Sequence, residues 1–471
     1  MSDREYDFDM AVIGGGSGGY AAARTAVAEG KKVVVIDGAE ELGGLCILRG
    51  CMPSKALIQS ANHQLTLREG DKFGLEVGNS RVNTRKVIER KRFLIDDFAG
   101  YRKGQLEDGR FELVRGYAAF VDAETLDVRL RDGGERRLRA RTTVIATGSS
   151  IFVPEVPGLS ELGYLTSDDI LDMVDLPESV IVLGGGAIAL EMAHYLEAIG
   201  KEVTVIQRSA HLLTGMDHDL ADELEAALTS RTMRIECGTQ LERVERSDGG
   251  LKRVVYTKDG AECSVEAQEI LVALGRKPAT QGLGAAEAGV ELNARGGVVV
   301  GLDMQSSAEN IFACGDVASS YEIVHIAIEQ GEKAAANAMA YIDGSNDFQQ
   351  MDYRLKLYGI FTEPQVAAVG MSEIEAKELG RDVIVETYPF NDHGKSMIAG
   401  AEHGFVKLIG DAQTKEILGG SVVGPEGCEL IHEIVVAMSF RATAGQLAQI
   451  PHYHPTLSEI WTYPAEDIAD A

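Results

Sequence analysis

Positive charge and long apolar runs are both scarce in this sequence of 471 residues. Lysine and arginine number 45 against 73 aspartates and glutamates, which gives a net charge of −28. Nucleic acids and anionic membranes are bound through clustered cations, so this balance argues against both as partners. No run of 18 apolar residues occurs, and we therefore expect no membrane span.

Cysteine occurs at only six positions, too few for the disulfide framework of a small secreted protein. Cys46 and Cys51 are the only two that lie close in sequence. No further cysteine or histidine pair has the spacing of a zinc site, so we expect no bound metal. Residues 1–5 are polar and acidic, unlike a secretory signal, and we expect a cytoplasmic protein.

Glycine, by contrast, is abundant, at 53 of 471 residues, and much of it follows predicted strands. A strand at 8–13, a glycine turn, a helix over 18–29 and a strand at 32–37 predict a βαβ unit. A second unit follows, with a strand at 179–183, a helix ending near 199 and a strand at 202–206. The two units match at an offset of 170 positions, which pairs Gly14 with Gly184, Gly16 with Gly186, Gly19 with Ala189, and Asp37 with Gln207. This repeat predicts two dinucleotide-binding sites.

The first glycine turn has the form Gly14-x-Gly16-x-x-Gly19 between a strand and a helix. In that context the glycines allow a tight turn, close approach of the backbone to a pyrophosphate, and close helix packing. Asp37 ends the next strand, where a carboxylate binds a ribose hydroxyl. The alternative is a turn that serves packing alone.

The second turn, Gly184-x-Gly186-x-Ile188-Ala189, differs in the residue that would meet the ribose. Gln207 replaces the acid and Arg208 follows it. A carboxylate repels a 2′-phosphate, whereas an amide beside a guanidinium accepts one, so we favour NADP over NAD. Alternatively, Gln207 holds a plain ribose hydroxyl and Arg208 is a solvated surface residue.

Cys46 and Cys51 lie in a stretch that begins at Gly44 and would otherwise be helical. A regular helix separates residues five apart by roughly 8–9 Å, whereas a disulfide needs Cα atoms about 4.4–6.8 Å apart. If the two cysteines are bonded, the helix must therefore be distorted, and Gly50 suits that. A disulfide beside a nucleotide site in the cytosol is more plausibly redox-active than structural, the alternative being two core thiols.

Near the carboxyl terminus, His454 precedes a proline and Glu459 follows five residues later. Glu459 could orient an imidazole that moves protons to and from a thiol, whose thiolate is the reactive form. Thr456 and Glu459 also have the spacing of a helix capping box, and this role is compatible with the first.

Taken together, these motifs resemble the pyridine nucleotide–disulfide oxidoreductase family, over essentially the whole chain. The resemblance rests on Cys-x4-Cys-x-Pro-Ser-Lys from Cys46 to Lys55, Ala146-Thr147-Gly148, the segment 311–316 and His454-Pro455-Thr456, which occur in the family's order. It implies an α/β fold with two Rossmann-like dinucleotide-binding domains and a C-terminal α+β dimerisation domain. It also implies FAD at the first site and a nicotinamide nucleotide at the second.

The resemblance assigns domains and roles. It implies the first part of the FAD domain at 1–153, an NAD(P) domain at 154–276, a return segment at 277–346 and the dimerisation domain at 347–471. Asp316 would bind the ribityl chain of the flavin, and Lys55, paired with Glu191, would lie near the flavin ring. The remaining cofactor contacts would be Gly44, Ala118, Thr147, Gly148 and Val324 at FAD, and Gly275 at the nicotinamide nucleotide. The alternative for Glu191 is an exposed helix charge.

By the same resemblance, electrons pass between nicotinamide, flavin and a Cys46–Cys51 disulfide, with Cys51 nearest the flavin and Cys46 exchanging with the substrate. His454 and Glu459 would come from the second subunit of a homodimer.

The sequence around His454 is most similar to dihydrolipoamide dehydrogenases. Arg208 is more typical of NADPH-dependent reductases, although their second arginine would fall at Thr214. Leu45 and Arg49 depart from the usual residues beside the cysteines. The alternatives are an NADPH-dependent reductase of another disulfide or a quinone, and a redox sensor with little turnover.

Overall fold

The computed structural model describes residues 6–318 and 321–471, so the polar segment 1–5 lies outside the described residues. The chain divides into two compact units, which are described separately. Unit 1 comprises Met1–Pro53, Arg90–Phe152 and Arg276–Asp352, and unit 2 comprises Ser54–Glu89, Val153–Gly275 and Tyr353–Ala471. Among the described residues, no helix has both the length and the apolar character needed to cross a membrane.

The strands, in chain order, are β1 (Phe8–Ile13), β2 (Val33–Ile36), β3 (Glu112–Val114), β4 (Gly116–Asp122), β5 (Thr125–Leu130), β6 (Glu135–Ile145), β7 (Ser149–Ile151), β8 (Leu165–Thr166), β9 (Ser179–Leu183), β10 (Glu202–Ile206), β11 (Arg234–Glu236), β12 (Thr239–Arg246), β13 (Lys252–Lys258), β14 (Ala261–Ala267), β15 (Glu269–Val272), β16 (Arg276–Pro278), β17 (Ile311–Ala313), β18 (Leu357–Ile360), β19 (Gln365–Gly370), β20 (Val383–Pro389), β21 (Phe405–Asp411) and β22 (Ile417–Gly424).

The helices are α1 (Ser17–Ala28), α2 (Leu45–Leu48), α3 (Cys51–Arg68), α4 (Thr84–Glu107), α5 (Leu159–Leu162), α6 (Ser167–Ile170), α7 (Ala187–Ala198), α8 (His218–Arg231), α9 (Val324–Ile342), α10 (Glu373–Glu378), α11 (Gly394–Ile398), α12 (Gly427–Ser439), α13 (Ala444–Ala448) and α14 (Thr462–Asp470). Short 3₁₀ turns also occur, including Gly315–Val317 and Ser458–Trp461.

Unit 1 is built on a parallel sheet of order β3-β2-β1-β6, with β17 also paired to β6 and with β5 and β4 added antiparallel. β1 and β2 are almost entirely buried apolar residues, as expected for parallel strands covered on both faces. The strand order reverses at β1, because β2 lies on one side of it and β6 on the other. Ligands of such sheets bind at the carboxyl end of the strand at this switch point.

Unit 2 repeats this arrangement in the parallel sheet β11-β10-β9-β15-β8, in which β9 takes the place of β1. It also contains a three-stranded antiparallel sheet, β12-β13-β14, and a five-stranded antiparallel sheet of order β18-β19-β22-β21-β20. The last sheet and α10–α14 form the predicted α+β region. The predicted fold class is therefore confirmed, and the predicted domain boundaries stay predictions.

The two predicted βαβ units have nearly identical local geometry. Helices α1 and α7 begin and end 170 positions apart. Gly14 and Gly184 have φ values of 106° and 117°, which only glycine adopts without strain. A Cβ atom on either would lie 2.3 Å from a carbonyl oxygen, that of Ala146 or of Ala273. Each turn is therefore fixed by close contact between its first glycine and the adjacent parallel strand.

A cluster of buried polar groups lies in unit 2 at α7. His194 is fully buried; its Nε2 is 2.7 Å from Asn62 Oδ1, and Arg231 lies 3.2 Å from its Nδ1. Burial, with the charge of Arg231, lowers the pKa of His194 to about 3, so this imidazole stays neutral. Burial raises the pKa of Glu363 to about 7, although Arg231 opposes the shift.

The raised pKa of Glu363 predicts that this carboxyl reduces stability as the pH rises. The folded state binds a proton at Glu363 up to about pH 7, whereas an unfolded chain releases it near pH 4.3. Replacing Glu363 by Gln removes this proton release. We expect E363Q to match the wild type at pH 4 and to be more stable by about 3 kcal/mol at pH 8, as measured by urea unfolding.

Glu262 provides the control for this measurement, because it lies on β14 with a largely exposed side chain. E262Q is expected to change stability by less than about 0.5 kcal/mol at pH 8. A gain in E363Q that does not vary between pH 4 and pH 8 would contradict the argument.

Candidate functional site

The first glycine turn in unit 1 is closed by the carboxylate of Asp37. Asp37 Oδ2 accepts a hydrogen bond from the Gly15 amide at 2.8 Å, and Oδ1 accepts one from the Ala39 amide at 2.8 Å. Asp37 is only 8% exposed. Gly16 is the N-cap of α1 and has no side chain to cap the helix, so the first amides of α1 are available to an anion.

Two further glycine-containing segments border this turn. Gly44 has a φ of 78°, and a Cβ atom on it would lie 2.7 Å from Gly16 Cα. Gly148 has a φ of 69° and open space beside it. Thr147 Oγ1 is buried and has no hydrogen-bond partner in the described part of the chain. An unpartnered buried hydroxyl next to a glycine cradle fits a polar ligand such as FAD.

Asp316 belongs to a hydrogen-bonded chain in unit 1. Ser149 Oγ donates to Asp316 Oδ2 at 2.6 Å, and Arg276 Nε donates to Ser149 Oγ at 2.7 Å. Asp316 is half-buried in the 3₁₀ turn that follows β17. This chain fixes the orientation of the carboxylate that the resemblance assigns to the flavin side chain.

Two other expected FAD contacts lie in regular structure of unit 1. Ala118 is half-buried on β4, opposite Val128 of β5. Val324 is the first residue of α9, so its backbone lies at a helix amino terminus. Such a terminus carries partial positive charge, which is favourable near an anionic or electron-rich ligand.

Cys46 and Cys51 lie on opposite sides of a break between two helices. Helix α2 ends at Leu48 and α3 begins at Cys51, so the predicted distortion is present. A Cβ atom at Gly50 would lie 3.3 Å from Cys46 Cα and 3.1 Å from the Leu45 carbonyl oxygen. Gly50 therefore packs closely against the start of α2. Both cysteines are half-buried.

Three other cysteines are in environments that suppress reactivity. Burial raises the pKa of Cys314 and of Cys428 to about 12. Burial and the neighbouring Glu225 raise the pKa of Cys237 to a similar value of about 12. These thiols stay protonated at neutral pH, and the thiolate is the reactive form.

The second glycine turn, in unit 2, is closed differently from the first. Gln207 Oε1 accepts from the Arg208 amide at 3.1 Å, and Gln207 Nε2 donates to Thr214 Oγ1 at 3.2 Å. Arg208 is exposed. It lines an open depression of about 540 Å³ with Gly238, Thr239, Gln240, Thr257 and Asp259.

The start of α7 is open to solvent. Gly186 and Ile188 are exposed, whereas Ala189 is only 1% exposed and packs inside. Gly275, after β15, has a φ of 104° and open space at its Cβ position. The exposed amides of α7 and these small residues leave room for a nucleotide pyrophosphate.

Lys55 and Glu191 form a bidentate ion pair within unit 2. Lys55 Nζ lies 2.8 Å from both carboxylate oxygens of Glu191, which is 5% exposed. The Phe361 amide also donates to Glu191 at 3.1 Å, and its ring lies 4.6 Å from Lys55 Nζ. The alternative of an exposed helix charge at Glu191 is wrong, because this carboxylate is buried and paired.

His454 and Glu459 are in contact in unit 2. His454 Nδ1 lies 3.1 Å from Glu459 Oε1, and the side chain of His454 is 80% exposed. The Thr456 amide approaches Glu459 Oε2 at 3.4 Å, so half of the expected capping box is present. Burial raises the pKa of Glu459, but the Thr456 amide and the neighbouring imidazoles of His454 and His393 lower it by more. The net shift is downward, which favours the carboxylate.

Several contacting residues were not predicted from the sequence. His393 is fully buried and lies 3.3 Å from Glu459 Oε1, although 66 positions separate the two. Phe361, Ser149 and Arg276 also contact predicted site residues from distant parts of the chain. None of these residues belongs to a sequence motif that predicts its contact. The one local pattern is His393 with Ser396 three positions later, and it does not point to Glu459.

Two matched glycine turns, a cysteine pair at a helix break and a histidine–carboxylate pair define a nucleotide-dependent redox enzyme. Two family models agree with this class. Residues 8–331 match the pyridine nucleotide-disulphide oxidoreductase model, and residues 358–465 match the dimerisation domain of the same family. The chain belongs to the pyridine nucleotide–disulphide oxidoreductase family.

Similar proteins support the same assignment. A dihydrolipoyl dehydrogenase of Bacillus subtilis is 33% identical over 96% of this chain and 96% of its own length. A mercuric reductase of Bacillus cereus is 32% identical over 96% of this chain and 70% of its own length. A copper(II) complex of the HOCl-induced flavoprotein disulfide reductase RclA from Escherichia coli has a TM-score of 0.84 at 25% identity, covering 98% of this chain and 99% of that one.

These findings show a flavoprotein oxidoreductase that acts on sulfur groups with FAD and a nicotinamide cofactor. The dimerisation domain supports a homodimer.

Proposed function

We propose that this enzyme oxidises a dithiol of the dihydrolipoamide class through a Cys46–Cys51 disulfide, with NADP as the preferred acceptor. The helix break at Gly50 carries this proposal, because a regular helix would hold residues five apart too far from each other for a disulfide. The half-buried position of both cysteines leaves them accessible, in contrast to the buried Cys314 and Cys428.

FAD, when bound, supplies two-electron chemistry between a nicotinamide and a disulfide. The unit 1 residues that would hold it are Asp37 at the ribose, the α1 amides at the pyrophosphate, Thr147 through its unpartnered hydroxyl, and Asp316 at the ribityl chain. Lys55 would place a positive charge near the flavin ring. Glu191 offsets the cost of burying that charge.

The protein's own atoms account for the sulfur chemistry. A substrate thiolate attacks Cys46 Sγ, which breaks the Cys46–Cys51 bond and forms a mixed disulfide. The second substrate thiolate then attacks the substrate sulfur, releasing the Cys46 thiolate and a substrate disulfide. Two electrons remain on the cysteine pair as two thiolates. His454 takes one substrate thiol proton at Nε2, and the other proton is released to solvent.

Glu459 supports this role because it accepts a hydrogen bond from His454 Nδ1–H. This keeps the proton on Nδ1 and leaves Nε2 as the base. The exposed position of His454 suits a residue that acts on the cysteine pair of a second subunit. This contribution from the partner rests on the family resemblance.

Replacing either cysteine tests the disulfide pathway. We expect C46S and C51S to lower kcat with dihydrolipoamide by at least about 1,000-fold, because no disulfide can form. Both should retain FAD and the oxidation of NADPH by a one-electron dye. C428S serves as the matched control and should stay within about twofold of the wild type. Dihydrolipoamide turnover at the wild-type rate in C46S would rule out the pathway.

The preference for NADP is supported by the residues after β10. Gln207 brings no negative charge, and in residues 6–318 and 321–471 no side chain is paired with the Arg208 guanidinium. Thr239, Gln240 and Thr257 add uncharged polar groups to the same depression, whereas Asp259 opposes an anion there. A guanidinium in this position favours a 2′-phosphate.

Removing Arg208 should therefore weaken NADP(H) selectively. We expect R208A to raise the KM for NADPH about tenfold and to leave the KM for NADH within about twofold, as measured by steady-state kinetics. R243A, on the exposed face of β12, is the matched control and should change neither KM. Equal effects of R208A on both nucleotides would contradict the proposed preference.

A second candidate is the NADPH-dependent reduction of another disulfide. Arg49 favours it, because this exposed cation next to Cys46 and Cys51 suits an acidic substrate. Assays of the purified holoenzyme with lipoamide and with an acidic disulfide such as oxidised glutathione distinguish the two. A higher kcat/KM for the acidic disulfide, lost in R49A, would favour this second function.

A further inference from the structure

His393 contacts the proposed acid–base pair from inside the protein. It lies where β20 and a 3₁₀ turn lead into α11, and its side chain has no solvent exposure. Its Nε2 is 3.3 Å from Glu459 Oε1, and its Nδ1 is 2.7 Å from Ser396 Oγ. Ser396 is also fully buried. The same Glu459 oxygen lies 3.1 Å from His454 Nδ1, so one oxygen is shared by two imidazoles.

The partners of His393 fix its tautomer. A carboxylate can only accept hydrogen bonds, so His393 Nε2 must carry the proton that faces Glu459. In the neutral ring Nδ1 is then an acceptor, and the Ser396 hydroxyl donates to it.

We propose that His393 is a positioning residue: its Nε2–H holds the Glu459 carboxylate in the orientation that accepts a hydrogen bond from His454 Nδ1–H. This inference rests on the proposed acid–base role of His454 and Glu459. Without the His393 donor, the hydrogen-bonding contacts left to the carboxylate within residues 6–318 and 321–471 are the Thr456 amide at 3.4 Å and the exposed His454 ring. A longer and less constrained contact with His454 follows.

The titratable groups near this site come from four elements. His393 approaches Glu459 from the start of α11, and His454 approaches it from the loop before the last 3₁₀ turn. Tyr463 of α14 lies edge-on to the His393 ring with centroids 6.1 Å apart. Tyr388 of β20 stacks on Tyr463 and donates to Asp392, so this acid is directed to Tyr388.

The role of His393 predicts a pH-dependent defect. The His393 donor is one of the groups that hold the pKa of Glu459 below its ordinary value. Removing the donor moves this pKa upward, so Glu459 takes up a proton at a higher pH and stops orienting His454. The ratio of variant to wild-type activity should therefore fall as the pH is lowered. A purely structural role would change activity by one factor at every pH.

The test compares two amides at this position in the dimeric holoenzyme. The side-chain nitrogen of Gln reaches the position of His Nε2, whereas Asn is too short to reach it. We expect H393N to lose about threefold in kcat with dihydrolipoamide at pH 8 and about tenfold at pH 5. We expect H393Q to stay within about twofold of the wild type at both pH values.

H452Q is the matched control. His452 lies two residues from His454, but its Nε2 contacts Glu433 at 2.6 Å and not Glu459. Its activity ratio should not change with pH. If H393N does not fold, S396A provides the second variant, because it removes the donor to Nδ1 and frees the ring. S396A should show a smaller loss with the same pH trend.

Two results overturn the inference and are separable from failure of the proposed function. A ratio for H393N that is constant between pH 5 and pH 8 overturns it, and so does H393Q as impaired as H393N. Each of these results counts against the inference only if H454Q lowers kcat by at least about 100-fold, because the inference assumes that His454 is the base. Wild-type turnover in H454Q would instead remove the proposed acid–base role itself.

Discussion

Contact between backbone and backbone at two glycines is the constraint on which the rest of the molecule depends. At Gly14 and Gly184 the turn approaches the neighbouring strand so closely that a methyl group would lie 2.3 Å from a carbonyl oxygen. This approach aims each following helix at the carboxyl edge of its sheet, where first-turn amides meet an anion. The two turns differ in the residue that closes them. The Asp37 carboxylate accepts a hydrogen bond from the Gly15 amide, whereas the Gln207 side chain hydrogen-bonds to Thr214 and to the Arg208 amide.

Burial sorts the ionisable side chains into inert and reactive groups. Cys314 and Cys428 are buried, and burial holds their thiols protonated. His194 is buried beside a guanidinium and stays neutral. Lys55, in contrast, is paired with Glu191, whose two carboxylate oxygens both contact its Nζ. Cys46 and Cys51 differ from the inert thiols in lying at a helix break, where the backbone leaves them accessible.

Local patterns in the sequence predicted the features that a single segment encodes. The turn at Gly14, the repeat at Gly184 and the break at Gly50 each follow from residue types a few positions apart, and each is present. Contacts between distant segments were beyond reach. Phe361 meets Glu191 across 170 positions and His393 meets Glu459 across 66. Such pairs depend on how strands and helices pack, and a single sequence has no spacing rule for them.

The two histidines of the His-x-His segment show how packing decides what a motif leaves open. The sequence singles out His454 by the Pro-Thr that follows it, and packing separates the two further: only 10% of the His452 side chain is exposed and its Nε2 contacts Glu433. Among the described residues, His454 is bound through Nδ1 alone, and 80% of its side chain is exposed. A proton acceptor needs one nitrogen held and the other available, a condition that His454 meets. In the proposed role, the contact of Glu459 with buried His393 steadies the carboxylate without occupying Nε2 of His454.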